Sequence, residues 1–399
     1  MKNRHIAILP FFFLILVSPG AQTNQNEIYR SPNYEFTAEA DAGGSLPSLA
    51  RELELRYGVF NSLFRFSPLQ LPLKVRVFLD PLSYDSYVSA RMGTPRPGAI
   101  YLHYNQHERC ELVILKGSPE EASMLAHQAF IQFLRAHIAN PPSWMREGFA
   151  IYFNSLKYDP VAEELRYEEN LRPLESVKKL GDRILRPREI MMADTIQISE
   201  TAASGSTAGR FDENFQICSW AYVSFLLNSG DHFRTLTEAF MVLSPNVTAL
   251  ENSLAVIGRF SMWTDLYAMD RDYLAYLDSR RTFDELLIAG RAHYSAGNAM
   301  NAELSFLAAL DQRPTNYEPY YYLGLIYYQE GSYDLADEFY RASLEYGADE
   351  ALVCFALGVN AASAERANDA IAWLERAAAA SPDRYRARAA EMIQKIRED

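Results

Sequence analysis

From Phe283 onward the chain returns the same residue types at a fixed period, and that period restricts its fold more than any other feature. Gly290, Gly324 and Gly358 are spaced by 34, as are Ala302, Ala336 and Ala370. Phe306, Tyr340 and Leu374 share a third column, and Pro314 and Pro382 a fourth, with Ala348 between them. Small residues let two helices approach, large ones fill the gap beside them, and Pro ends the second helix of a pair. The register runs unbroken over three units, 283–316, 317–350 and 351–384. Tyr385 to Glu398 then reads as a capping helix, because a stack of repeats needs a polar end.

These columns resemble the tetratricopeptide repeat (TPR), which implies an all-α solenoid whose first helices line a concave groove. By register, the exposed positions of that face are Leu287, Arg291 and Tyr294, then Tyr321, Leu325 and Tyr328, then Leu352, Phe355 and Val359. The face is apolar and aromatic, with one cation. It lacks the Lys/Arg/Asn set that clamps a peptide's terminal carboxylate in such repeats. The partner expected is therefore a protein or peptide offering an apolar or amphipathic segment. A groove packed on the preceding domain, or closed by the final helix, is the alternative.

Upstream, apolar periodicity changes along the chain. Tyr34 to Ala38 alternates like a strand, Ser45 to Phe64 has helical spacing, and Leu73 to Leu79 alternates apolar and basic residues. A short helix around Tyr84 to Met92 precedes Gly/Pro punctuation at 93–98. Ala99 to Tyr104 and Cys110 to Leu115 read as antiparallel strands around a turn at Asn105 to Glu108. Helices follow from Pro119 to Ile138 and, with Ser143 as cap, from Trp144 to Leu156. Residues 191–210 read as a polar loop, and Thr235 to Asp278 as helical again. This order predicts an α+β domain over 34–282, preceded by a polar tether at 22–33 and followed by the repeats.

Within that domain, Leu125-Ala126-His127-Gln128-Ala129-Phe130-Ile131, followed by Trp144-Met145-Arg146-Glu147, resembles the active-site segment of the gluzincin, or peptidase-MA-like, zinc peptidases. The resemblance implies a mixed sheet with a helical lobe, to which Ser219 to Leu227 would contribute a packing helix. In that family an HExxH helix supplies two His ligands and a Glu base, and a later Glu is the third ligand. Here His127 and Glu147 stand in matching places, Gln128 stands where the base should be, and Ile131 where the second His should be. Positions four apart share a helix face, so His127 faces Ile131, and His137 is roughly 15 Å further along the axis. His103, His107, His232 and His293 have no recognisable ligand spacing. A catalytic zinc needs three protein ligands, and Gln cannot take a proton from water near neutral pH. The site thus reads as degenerate, with no catalytic residue and with His127 and Glu147 as residual ligand positions. The resemblance also implies an edge strand at Tyr101 to Tyr104 able to pair with extended peptide.

Met1 to Ala21 has a basic start, an apolar run from Ile6 to Val17 and small residues at Ser18, Gly20 and Ala21, the pattern of a secretory signal. No later segment is apolar enough to span a membrane, and the expected location is the periplasm. A net charge of −13 without a basic stripe argues against nucleic acid. Cys110, Cys218 and Cys354 are too scattered for a thiolate metal site, and read as buried small hydrophobes, with a Cys110–Cys218 bridge left open. The expected protein is an exported scaffold, an inactive peptidase-like domain joined to a docking array, with no cofactor. The alternative is a zinc-dependent peptidase with a non-standard site at His127 and Glu147.

Overall fold

A computed structural model of the protein describes residues 27–39, 43–204 and 213–398. The expected signal at 1–21, the tether up to 26 and the loop over 205–210 lie outside the described residues. In chain order the elements begin with β1 (Glu27–Arg30), β2 (Tyr34–Ala38), α1 (Leu46–Phe64), β3 (Leu73–Phe78) and α2 (Pro81–Met92). They continue with β4 (Ala99–Leu102), β5 (Glu111–Leu115), α3 (Glu121–His137), α4 (Ser143–Phe153), β6 (Leu156–Asp159) and β7 (Glu164–Tyr167). Six helices follow: α5 (Arg172–Lys179), α6 (Pro187–Ser204), α7 (Glu213–Asn228), α8 (Gly230–Phe240), α9 (Ala249–Trp263) and α10 (Leu266–Ser279). Three helix pairs and a last helix end the chain: α11 (Phe283–Ser295), α12 (Ala299–Gln312), α13 (Tyr317–Gln329), α14 (Tyr333–Glu345), α15 (Glu350–Ser363), α16 (Ala367–Ala380) and α17 (Pro382–Glu398).

The described chain falls into two compact units. The first gathers the residues up to Glu168, those from Met191 to 204, and Arg234–Met262. Its five-stranded sheet has the order β1-β2-β3-β5-β4, with β2, β3 and β5 parallel and β1 and β4 antiparallel to their neighbours. The mixed sheet agrees with the expected α+β class. Alternation decides which face is buried: Val75 and Val77 of β3 are enclosed while Lys74 is exposed. Against the sheet lies a phenylalanine cluster from α1, α3 and α4, with Phe60 5.3 Å from Phe130 and 4.7 Å from Phe153, and Phe64 5.1 Å from Phe149 between ring centroids. Gln132 on α3, itself buried, donates to the Lys74 carbonyl of β3 at 2.8 Å and so fixes the helix on the sheet.

Three local expectations need correction. Glu27–Arg30 is not tether but an edge strand paired with β2. Residues 191–204, read as loop from their polarity, belong to α6, because the run Met191-Met192-Ala193 is rich in helix formers and Ile190, Met191 and Asp194 are buried. Ser143 does not cap its helix. It is the first residue of α4, and its N–H and Oγ donate to the Asp194 carboxylate at 2.9 and 2.5 Å. Ser253 of α9 donates to the same carboxylate at 2.6 Å. A buried acid from a distant segment thus satisfies the start of α4, where negative charge is favoured.

The second unit holds Glu169–Ile190, the described residues from Glu213 to Phe233, and everything from Trp263 onward. It is all helical. The sequence places a domain boundary at 282/283, where Thr282 and Glu285 form a capping box on α11, while this unit also takes in α5, α7 and α10. Lys178 of α5 reaches Glu285 at 2.7 Å, Glu175 pairs with Arg313, and Glu169 pairs with Arg280. The three pairs α11/α12, α13/α14 and α15/α16 follow the 34-residue register, and Asn298, Asn316 and Asp349 cap α12, α13 and α15 with their side chains. The glycine column is where paired helices touch. An added Cβ at Gly290 would lie 2.7 Å from the Phe306 ring, at Gly324 2.5 Å from Tyr340, and at Gly358 2.7 Å from Leu374. The array is therefore a TPR-like solenoid on its own geometry. Cys110, Cys218 and Cys354 are each buried and unbridged.

Gly324→Ala should lower stability by about 1–3 kcal/mol through overpacking against Tyr340. Gly258→Ala in α9, where a Cβ meets nothing within 4 Å, should instead leave it unchanged or raise it by about 0.5–1 kcal/mol. Urea denaturation of both variants checks the contrast, and equal effects would remove the glycine column as the basis of pairing.

Candidate functional site

Helix α3 packs against both β4 and α4, and this brings the motif residues near one another. His127 is densely surrounded yet touched by solvent, and its ring makes no hydrogen bond with the described residues. Burial pulls its pKa down, nearby Glu147 raises it and Arg146 lowers it again. Glu147 is bound by its own neighbour, with Arg146 Nε donating to Oε1 at 2.8 Å. Gln128 accepts the Tyr101 N–H at 2.9 Å, so the side chain at the base position caps a donor of edge strand β4. An extended peptide pairing there would have to displace it. Ile131 is partly buried on the same helix face as His127.

One helical turn beyond Ile131 stands Arg135, the third member of that face. It is largely buried, donates one N–H to the Ala139 carbonyl at 3.2 Å, and has its pKa pulled down to about 10 by burial and by Arg146. His103, just after β4, completes the group. Its Nδ1 is 3.8 Å from Cys110 Sγ, and burial, Arg135, Arg146 and His107 push its pKa down to about 4. Zinc does not fit this donor set. His127 has no second His beside it, Glu147 is engaged by a guanidinium, and two arginines repel a dication. Among the described residues no group of three or more His, Cys, Asp or Glu side chains is placed to hold a metal ion.

The nine groove positions separate into two sets. Leu287 is buried in the core of the first pair with Phe283 and Phe306, and Arg291 is paired with Glu318 at 2.8 Å. Phe355 lies beneath α17, with the Tyr385 ring 5.0 Å away and the Arg388 guanidinium 5.3 Å above it. The remaining six, Tyr294, Tyr321, Leu325, Tyr328, Leu352 and Val359, are half-buried. Tyr321, Leu325 and Tyr328 rest on the core of the second and third pairs around Tyr340 and Val353. Gln329 donates to the Tyr294 hydroxyl at 2.8 Å, and the Tyr328 hydroxyl meets Ser363 Oγ at 3.2 Å. Burial, with Tyr385 and Tyr294 nearby, pushes the Tyr321 pKa up to about 12, and its hydroxyl has no hydrogen bond to the described residues.

No known protein-family profile matches the chain, and no curated protein matches it. Among solved structures, the first TPR domain of the human RPAP3 protein is 15% identical, matching 28% of this chain and 87% of its own, with a TM-score of 0.27. YrrB, described as a TPR protein with an unusual peptide-binding site, is 15% identical over 56% of this chain and 98% of its own, with a TM-score of 0.28. At such scores neither likeness bears on function. Sequence reasoning gave no role to Arg135 or Arg146, and it set His103 aside for want of ligand spacing. Arg135 follows His127 at i+8 and was visible on the helix face, whereas His103 enters only through the pairing of β4.

His103 and His137 titrate at about 4 in the folded protein against an ordinary 6.5, and burial also lowers His127. Between those pH values the unfolded chain binds more protons, so stability falls as pH drops from 6.5 towards 4. Burial alone holds His137 down, and its ring stacks on Phe66 at 4.7 Å. His137→Phe should flatten the decline of the urea midpoint over this window. An unchanged slope would exclude His137 as its source.

Proposed function

We propose that this protein is a binding scaffold whose helical-repeat array docks an apolar or amphipathic peptide segment of another protein. The observation that carries the reading is the surviving face of α11, α13 and α15. Tyr294, Tyr321, Leu325, Tyr328, Leu352 and Val359 stay half-open and apolar there, while Arg291 is neutralised by Glu318. Large, stiff aromatic residues bury much area at little entropic cost, and a tyrosine hydroxyl without a protein partner can still meet a backbone group of the guest.

In this reading the first unit is a gluzincin-like domain that no longer hydrolyses peptides. The support is chemical: Gln128 is spent on the Tyr101 N–H and Glu147 on Arg146, so neither a base nor a third ligand is left over. Loss of a positioned base alone costs roughly 10²–10⁴ in rate. The zinc-peptidase alternative would need Glu147 to leave Arg146 and a further ligand to arrive. Export to the periplasm belongs to the same proposal and rests on residues 1–21. Among the described residues no helix is long and apolar enough to cross a membrane.

Selection of peptides from a displayed library on the full chain should enrich amphipathic sequences with aromatic or aliphatic anchors. The double variant Tyr321→Ala, Tyr328→Ala should weaken the selected peptides at least tenfold, about 1.4 kcal/mol, with the array still folded by circular dichroism. Unchanged affinity would remove this face from the reading.

A further inference from the structure

The three cysteines are not equivalent. Cys218 and Cys354 have no exposed surface, and burial raises the Cys354 pKa. Cys110 keeps 7% of its surface and lines a cavity of about 210 Å³ beside the starts of β2, β3 and β5. The sequence reads it as a small hydrophobe, yet its sulfur has polar company. The Tyr104 N–H donates to Sγ at 3.2 Å, and the thiol donates to the Tyr104 carbonyl at 3.2 Å, with the Gln106 carbonyl 3.7 Å away. His103 Nδ1 stands 3.8 Å from the same sulfur. Gln132, on α3, lines the same cavity and is 1% exposed. Its Nε2 is spent on the Lys74 carbonyl at 2.8 Å, and its Oε1 meets no donor among the described residues. An acceptor left unanswered inside a protein is unfavourable, so this cavity favours an occupant that brings a donor.

We infer that Cys110 is a site of oxidation by hydrogen peroxide, which enters this cavity and converts the thiol to a sulfenic acid. Sulfur attacks one peroxide oxygen, an S–O bond forms and the O–O bond breaks. The thiol proton goes to the departing hydroxide, which leaves as water. Sulfur gives up two electrons and the peroxide takes them, so one thiol and one peroxide become one sulfenic acid and one water. The Tyr104 N–H favours negative charge on the attacking sulfur. Burial and nearby cations keep His103 uncharged near pH 7, and with its proton on Nε2 it offers Nδ1 as a relay for the thiol proton. The sulfenic hydroxyl is itself a donor, in a cavity whose buried amide oxygen lacks one. Hydrogen peroxide is little larger than the water for which about 10–15 Å³ suffices, so the volume admits it while excluding bulky reagents.

Peptide mass spectrometry reads all three cysteines at once. The full chain is treated at pH 7 with hydrogen peroxide and the sulfenic-acid trap dimedone, then unfolded and alkylated with iodoacetamide. Oxidation at Cys110 should exceed that at Cys218 and Cys354 at least tenfold, read as dimedone adduct and as loss of the alkylated peptide. Equal oxidation of the three, or full alkylation of Cys110, overturns the inference. Entry through the cavity is tested by size. Without peroxide, N-ethylmaleimide should label Cys110 at least tenfold faster than fluorescein maleimide, each rate being divided by its rate with free cysteine. Equal ratios would mean that the sulfur reacts only when the unit opens, and would overturn the cavity route. His103→Phe should slow oxidation of Cys110 at least tenfold while keeping that size preference, and an unchanged rate would strike the relay from the inference.

Discussion

The phenylalanine contacts among α1, α3 and α4 determine what else in the first unit can meet. Phe60, Phe64, Phe130, Phe149 and Phe153 interlock at centroid distances of 4.7–5.9 Å, the range in which edge-on and offset rings attract. Each such pair adds roughly 0.5–1.5 kcal/mol beyond area burial, and together they leave α3 one rotation relative to α4. That rotation brings His127 and Arg135 near Arg146 and Glu147. The grouping of these side chains thus depends on apolar packing on a neighbouring face of the same helix.

The group around His127 is also coherent as electrostatics. A metal site gathers acids and neutral imidazoles around a dication, and here guanidinium groups occupy that surrounding. Burial and the two arginines keep His103 uncharged, so the imidazoles add hydrogen-bonding surface without adding positive charge. The Gln128 amide oxygen is committed to the sheet.

Much of the repeat array was legible because its signal is periodic. Gly324 and Tyr340 lie 16 positions apart in sequence and in direct contact in space, and the same pair returns one period earlier and later. The strands β2, β3, β4 and β5 and the helices α1, α3 and α4 were legible from alternation and helical spacing. The hairpin β6/β7 was not, because its strands are four residues long and half-exposed, without an apolar rhythm. Helix α6 was masked by its Asp, Thr and Ser residues, which read as loop, while its buried Ile190 and Met191 hold it in place. At the site, the residues on α3 could be read from one helical wheel. The partners of that wheel, His103 on a strand end and Asp194 far along the chain, depend on tertiary pairing that no local pattern records. At the repeat face, register alone could not show that Phe355 is covered by Tyr385.

The bond between Gln128 and Tyr101 has one more consequence. An open strand at the margin of a sheet offers its backbone donors to any passing chain, and identical molecules are the most abundant candidates in a concentrated solution. β4 is such a margin. With the Tyr101 N–H already answered from within, a second molecule finds the ladder interrupted in the middle of β4. A single glutamine on the neighbouring helix thereby also guards the unit against clumping with its own kind.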